Sequence, residues 1–220
     1  MLGSSGIKEI NYDFFESNTS LTTLSGFFDN SSIEIIPDGF LEHNNTIKTV
    51  GEWKNTNIKH IGNRFLKNNL LIRILNNMFK DSKIETIGND CMSKLANSKE
   101  PVGHDEYGPI YEGSESISMF ENSKIKTIGI NFLRYSNDVT QMFKNCHDLQ
   151  SIGSGFYSLE TKSIFYNIIE NCSLKTLPDG FMSNVKGVRD FNFKMLMNNG
   201  KMFKSSQKET PVYSEGYVFS

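Results

Sequence analysis

The chain has very little alanine, cysteine, tryptophan and proline. Ala96 is the only alanine among 220 residues, beside three cysteines, one tryptophan and five prolines. Alanine is the strongest helix former, so its near absence argues against a protein of long helices. An odd number of cysteines without paired spacing argues against a disulfide framework. The abundant Ile, Phe, Thr and Asn residues suit short strands and tight turns instead.

The sequence also lacks the marks of a targeting or membrane-spanning segment. It does not open with a charged region followed by an apolar one, so we predict no secretory signal. No apolar run approaches the roughly 18 residues that a membrane helix needs, so no membrane insertion is expected. The net charge is only −2, which disfavours a nucleic-acid partner. If the protein reaches an outer surface, we therefore expect it to do so inside a particle, by a route without a signal, or as part of a larger assembly, with the cytoplasm as the alternative.

Two short motifs recur along the chain in a fixed order. The first is an apolar pair, a polar residue, Asn or Asp, and a small residue. Its copies are Phe27–Ser31, Met78–Ser82, Met119–Ser123, Met142–Cys146 and Ile168–Cys172. The second motif is apolar-x-x-apolar followed by Gly or Pro. Its copies are Ile33–Pro37, Ile47–Gly51, Ile58–Gly62, Ile84–Gly88, Ile125–Gly129, Leu149–Gly153 and Leu174–Pro178.

The small residues that end the first motif give the repeat length. They are Ser31, Ser82, Ser123, Cys146 and Cys172, and Thr56 holds the same place before Ile58. Successive members of this series of six are 25, 26, 41, 23 and 26 residues apart. A period in the twenties is typical of stacked repeats, and the long separation predicts one repeat with an insertion at about 93–115. The two cysteines in this series are then expected to be small buried residues.

Units of the form Met-Phe-x-Asn-Cys-x-x-Leu-x-x-Ile, alternating with Ile-x-x-Ile-Gly/Pro-x-x-Phe, resemble the BspA-like leucine-rich repeats of bacterial surface proteins. They are also similar to repeats in proteins of phages that infect such bacteria. The resemblance covers roughly 21–182 and implies a leucine-rich-repeat right-handed superhelix. The fold class that we expect is a β-rich α/β solenoid with short strands and short helical or 3₁₀ turns.

This fold predicts three regions. Residues 1–20 form an N-terminal cap or docking segment, 21–194 form the solenoid, and 195–220 form a C-terminal loop, cap or truncated repeat. Within each repeat we attribute the Gly after the second motif to a positive φ, and we expect Asn and Asp to bond locally at the corners. Trp53 is interpreted as a packing residue, with a ligand contact as the alternative.

Two groups of residues are candidates for ligand binding. Insertions in repeat proteins often collect on the binding face, which favours His104, Asp105, Tyr107 and Tyr111. The outward positions of the second motif form a polar row, either a solvated face or a recognition surface. The candidates in that row are Lys59, Glu85, Lys126 and Lys175, with Lys48 and Thr49 expected in the same surface.

An enzymatic role is disfavoured, because the candidate catalytic clusters consist of consecutive residues, whose side chains rarely converge on one point. This applies to His104-Asp105-Glu106 as a metal or acid–base cluster and to Cys146-His147-Asp148 as a nucleophile and base. No cofactor or metal is expected. We predict a non-enzymatic recognition module for a protein or a cell-surface glycan, such as a phage tail receptor-binding component or an adhesin. The alternatives are a structural virion or scaffold protein, which could form homo-oligomers through its termini, and an intracellular inhibitor.

Overall fold

The protein is a β-rich chain whose main sheet consists of very short parallel strands. The computed structural model describes residues 6–95, 116–133, 139–156, 168–174 and Pro178, and the backbone of strands 97–105, 108–113, 163–165 and 188–191. The strands are β1 (Ile35–Ile36), β2 (His60–Ile61), β3 (Thr86–Ile87), β4 (Asn97–Asp105), β5 (Gly108–Gly113), β6 (Thr127–Ile128), β7 (Ser151–Ile152), β8 (Ser163–Phe165) and β9 (Val188–Phe191). The five-stranded sheet has the order β1-β2-β3-β6-β7.

The register of this sheet follows the sequence period. Ile35 pairs with His60, His60 with Thr86, Thr86 with Thr127, and Thr127 with Ser151, all in parallel. The 41-residue step from Thr86 to Thr127 therefore spans one strand spacing, like the 25- and 26-residue steps. The strands on either side of the long step are thus direct neighbours in the sheet, as the prediction of one repeat with an insertion requires.

Inward-facing side chains form continuous apolar columns beneath the sheet. Ile36, Ile61, Ile87, Ile128 and Ile152 are all buried, while their strand neighbours face outward. Ile58, Ile84 and Ile125, each two residues before the paired outward residue, are at most 1% exposed. Leu174 is buried too, although its strand pairing lies outside the described residues. Each large side chain buried this way contributes roughly 1.5–3 kcal/mol.

Aromatic rings form a second set of columns. Phe79, Phe120 and Phe143 stack in sequence with centroid separations of 5.3 and 5.4 Å. Trp53 continues this column between Phe28 and Phe79, at 4.5 and 5.4 Å. It is 2% exposed, and its indole N–H donates to the Leu24 carbonyl at 3.0 Å. The packing interpretation of Trp53 is confirmed.

The corners of the repeats are turns, and the predicted short helical or 3₁₀ turns are wrong for the described residues. Residues on both sides of a core Phe have left-handed backbones, as in Arg64 (φ 59°) and Leu66 (φ 51°) around Phe65. A left-handed residue at every second position prevents a right-handed helix. The N–H of Arg64 donates to the Asn89 carbonyl (2.8 Å) and that of Leu66 to the Phe40 carbonyl (3.1 Å). The corners are thus hydrogen-bonded to both neighbouring repeats, which offsets the strain of the left-handed conformation.

The glycines after the second motif are needed for close approach of the repeats, and their predicted positive φ is wrong. Gly62, Gly88, Gly129 and Gly153 are not among the positive-φ residues. A Cβ on Gly129 would lie 2.5 Å from the Gly88 carbonyl carbon and oxygen. Each of these glycine N–H groups also donates at 2.8 Å to the preceding repeat. Pro37 takes this place directly after β1, the edge strand of the sheet, where proline is tolerated.

Asparagine side chains join the repeats to one another, so the predicted local corner bonds are not their main role. Amide Nδ2 atoms donate to the preceding repeat from Asn55 to Asn30 (3.3 Å), Asn145 to Asn122 (2.9 Å) and Asn171 to Asn145 (2.9 Å). Asn122 likewise donates to the Asp81 carboxylate at 2.8 Å. Such bonds couple the corners of the stack in the same register as the sheet.

The second-motif copy Ile47–Gly51 does not belong to the five-stranded sheet. Thr49 forms isolated parallel bridges with Thr23 and Ile74 instead. One repeat therefore contains two apolar-x-x-apolar units that pair in separate parallel ladders. The expectation that Lys48 and Thr49 share a surface with Lys59 is wrong for this reason.

The insertion and the N-terminal segment lie outside this repeating pattern. Strands β4 and β5 pair antiparallel with each other as a separate two-stranded sheet, with Pro101 opposite Tyr111 and His104 opposite Pro109. The N-terminal segment packs on the first repeat through Phe15, whose ring lies 4.9 Å from Phe27 and 6.0 Å from Phe40.

Candidate functional site

The outer face of the five-stranded sheet carries two adjacent rows of side chains, which are polar except for Ile35. The first row comes from the residues before each strand, and the second from the first strand residues. The first row is Glu34, Lys59, Glu85, Lys126 and Gln150, and the second is Ile35, His60, Thr86, Thr127 and Ser151. All ten side chains are half-buried or exposed. The structure therefore brings the predicted residues Lys59, Glu85 and Lys126 into one row.

The charges in the first row alternate and pair along the stack. Lys59 Nζ lies 3.0 Å from the Glu34 carboxylate, and Lys126 Nζ lies 2.7 Å from that of Glu85. The hydrogen bond from Lys126 lowers the pKa of Glu85, and the same bond raises the pKa of Lys126. Both groups therefore carry their charges at neutral pH. Since alternating charges attract only in register, the row also disfavours a slipped alignment of the repeats.

The second row presents hydroxyl and imidazole groups beside these charges. His60 Nδ1 lies 2.9 Å from the Thr86 hydroxyl, and Thr127 and Ser151 follow in the next two strands. Neighbouring strands lie about 4.8 Å apart, so the row offers hydrogen-bonding groups at nearly constant spacing. A surface with such regularly spaced groups can contact an extended polar ligand at several points simultaneously.

The predicted residues in the insertion are described only in part. His104 and Asp105 lie in β4, and Tyr111 lies in β5, where the structure gives the backbone alone. Tyr107 and Lys175 lie outside the described residues. The structure therefore does not place these five side chains relative to the sheet face, and their role stays a prediction.

The cysteines are buried in the stack, as the repeat position predicted for Cys146 and Cys172. All three thiols are free and buried, and each lies within hydrogen-bonding distance of a carbonyl oxygen of the preceding repeat: Gly62, Phe120 and Phe143. Burial raises the pKa of Cys91 to about 12 and that of Cys146 to about 11, and it also raises that of Cys172. A thiol held in its neutral form is a poor nucleophile.

A cavity at the N-terminal end of the stack is a feature that the sequence analysis missed. Its volume is about 470 Å³, and it lies between the N-terminal segment and the corners of the first two repeats. Its walls include Tyr12, Asp13, Phe15 and Glu16 on one side and Asp38 and Glu42 on the other. The only sequence signal was the apolar, non-repeating composition of 7–16.

Within the described residues, no group of three or more His, Cys, Asp or Glu side chains could hold a metal ion. In the same part of the chain, no helix is long and apolar enough to cross a membrane. The chain matches no protein-family model, no curated protein and no solved structure. A functional assignment consequently depends on the chemistry of its own surfaces.

Proposed function

We propose that this protein is a non-enzymatic recognition module that binds a protein or a cell-surface glycan through the outer face of its parallel sheet. The proposed architecture is a leucine-rich-repeat-like, right-handed solenoid. Repeats paired in register at 25, 26, 41 and 24 residues support it. The proposed setting is a bacterial surface or a phage tail, which follows from the sequence resemblance alone.

The observation that carries the binding proposal is the pair of polar rows on the sheet face. Burial of the isoleucine and phenylalanine columns needs only the inner face, so the outer face is free to vary. That face nevertheless presents ordered charges and hydroxyl groups, including Lys59, Glu85 and Lys126 in the first row. Polar groups at fixed spacing bind a ligand without a large cost for ordering them.

Charge removal on the sheet face tests the proposal. A double variant with Glu85→Gln and Lys126→Gln should bind whole bacterial cells or purified wall glycans at least about tenfold more weakly, because two charge-assisted contacts are lost. Binding is measured by sedimentation of the protein with cells and by titration calorimetry with the glycans.

The matched control is the ion pair between Lys80 and Glu121, whose atoms are 2.9 Å apart at a different corner of the stack. A double variant with Lys80→Gln and Glu121→Gln also removes one ion pair and should retain full binding. Equal binding by the two double variants would contradict a role for the sheet face. Deletion of 97–113 in the same assay tests the insertion, and unchanged binding would exclude it.

The second candidate function is a structural protein that assembles through its termini. Apolar side chains exposed on the N-terminal segment favour it, namely Ile7 (40% exposed), Tyr12 (62%) and Phe14 (48%). Light scattering distinguishes the two functions. A monomer that binds cells or glycans supports recognition, whereas a fixed oligomer that binds neither supports the scaffold.

A further inference from the structure

The cavity at the N-terminal end has the size and the mixed walls of a ligand site. Its volume of about 470 Å³ falls within the roughly 300–1,000 Å³ of small-ligand pockets. The backbone of two lining residues is held in place by the side chain of Asn69, which is fully buried. The Asn69 amide nitrogen donates to the Leu41 carbonyl at 2.7 Å and to the Glu42 carbonyl at 3.5 Å. The cavity is therefore supported by interior contacts.

Its charge favours a cation. The walls contain four carboxylates and one guanidinium, which leaves an excess of three negative charges. The carboxylates belong to Asp13, Glu16, Asp38 and Glu42, and the guanidinium to Arg64. Two of the carboxylates are already occupied. Asp38 accepts hydrogen bonds from the Asn63 backbone and side chain at 2.8 and 2.9 Å, and Glu42 accepts one from Arg64 at 3.0 Å.

The other two carboxylates are available for a ligand. Among the described residues, neither the Asp13 nor the Glu16 side chain has a hydrogen bond or an ion pair. Both belong to the N-terminal segment, which Phe15 anchors to Phe27 and Phe40. Both carboxylate side chains are exposed, and no partner among the described residues neutralises their negative charges.

Aromatic rings complete the site. Phe15 and Tyr12 line the same wall as these carboxylates, and the Tyr12 side chain is 62% exposed. A planar guanidinium stacks on an aromatic ring while it donates hydrogen bonds to carboxylates, which a compact ammonium group does less well. We propose that this cavity binds an arginine side chain of a partner protein, with its guanidinium between the Asp13 and Glu16 carboxylates and the Tyr12 ring.

This site is separate from the polar rows of the sheet face, so its test is independent of the proposed function. The full chain is titrated with the peptide acetyl-Gly-Arg-Gly-amide, and binding is followed by NMR chemical shifts of the protein. The matched control peptide carries citrulline, which keeps the shape of arginine but has no charge. We expect a dissociation constant on the order of 1 mM for arginine and no saturation with citrulline. A lysine peptide should bind several-fold more weakly than the arginine peptide.

Variants locate the binding in the cavity. A double variant with Asp13→Asn and Glu16→Gln should weaken binding of the arginine peptide at least about tenfold. Tyr12→Ala should weaken it about two- to fivefold, and Glu52→Gln, outside the cavity, should leave it unchanged. Circular dichroism checks that each variant is folded. Absence of saturable arginine binding, equal binding of the citrulline or lysine peptide, or full affinity in the double variant would overturn the proposal.

Discussion

Phe120→Ala should destabilise the protein by about 3–5 kcal/mol, the usual effect of removing a large buried aromatic side chain. The Phe120 side chain is 0% exposed. Its ring lies 5.3 Å from Phe79, 5.4 Å from Phe143 and 5.8 Å from Phe132. The substitution therefore removes contacts with both neighbouring repeats and within its own, and it leaves a cavity that the hydrogen-bonded corners prevent from closing. The free energy of unfolding is measured by urea denaturation.

Two other substitutions serve as controls for the stability loss expected of Phe120→Ala. Phe120→Leu keeps most of the apolar volume and should cost clearly less than Phe120→Ala. Phe14→Ala removes a ring that is 48% exposed on the N-terminal segment and should have a small effect. Similar losses for Phe14→Ala and Phe120→Ala would show that the aromatic column does not form the core of the stack.

Gly129→Ala should be nearly as damaging, although it adds only one methyl group. The added Cβ would lie 2.5 Å from the Gly88 carbonyl carbon and oxygen and 2.6 Å from the Asn89 nitrogen. All three contacts are with backbone, which cannot rotate away, so β3 and β6 must separate. The Gly129 N–H bond to the Ile87 carbonyl (2.8 Å) would weaken together with the packing. We expect a loss of about 3 kcal/mol or more, the upper end for overpacking.

The chain offers a graded set of controls for this substitution. A Cβ on Gly51 would meet chiefly the Ser25 side chain, with the hydroxyl oxygen at 2.5 Å, and this group can partly move aside. A Cβ on Gly6 would have nothing within 4 Å. The expected order of destabilisation is Gly129→Ala, then Gly51→Ala, then Gly6→Ala. A stable Gly129→Ala protein would mean that the repeats are spaced more widely than the sheet requires.

The sequence predicts the period and the strands well because both depend on the spacing of apolar residues. Ile58, Ile84 and Ile125 recur with small residues at fixed offsets, and no other alignment buries all of them. The insertion follows from the same spacing. The polar row with Lys59, Glu85 and Lys126 is predictable as well. These residues occupy the outward positions of the repeat, where the core does not require an apolar side chain.

Three features could not be predicted, each for a physical reason. The left-handed backbone at residues such as Leu66 (φ 51°) is not indicated by the residue type, because leucine rarely adopts this conformation. Ile47–Gly51 and Ile58–Gly62 have the same local pattern, and only the pairing between repeats separates their positions. One wall of the cavity is formed by the N-terminal segment, which does not share the repeat spacing. The spacing therefore cannot predict that Asp13 and Glu16 lie against the first repeats.

Spin-label distances along the sheet test the central claim that consecutive repeats stack one strand apart. The label at Ile35→Cys is paired in turn with one at His60→Cys, Thr86→Cys, Thr127→Cys or Ser151→Cys. The native cysteines are buried with raised pKa values and should not react with the label. The account predicts that the backbone separation grows by about 4.8 Å per step to roughly 19 Å. The step from Thr86 to Thr127 should equal the others although it spans 41 residues, and a larger increase at that step would contradict the account.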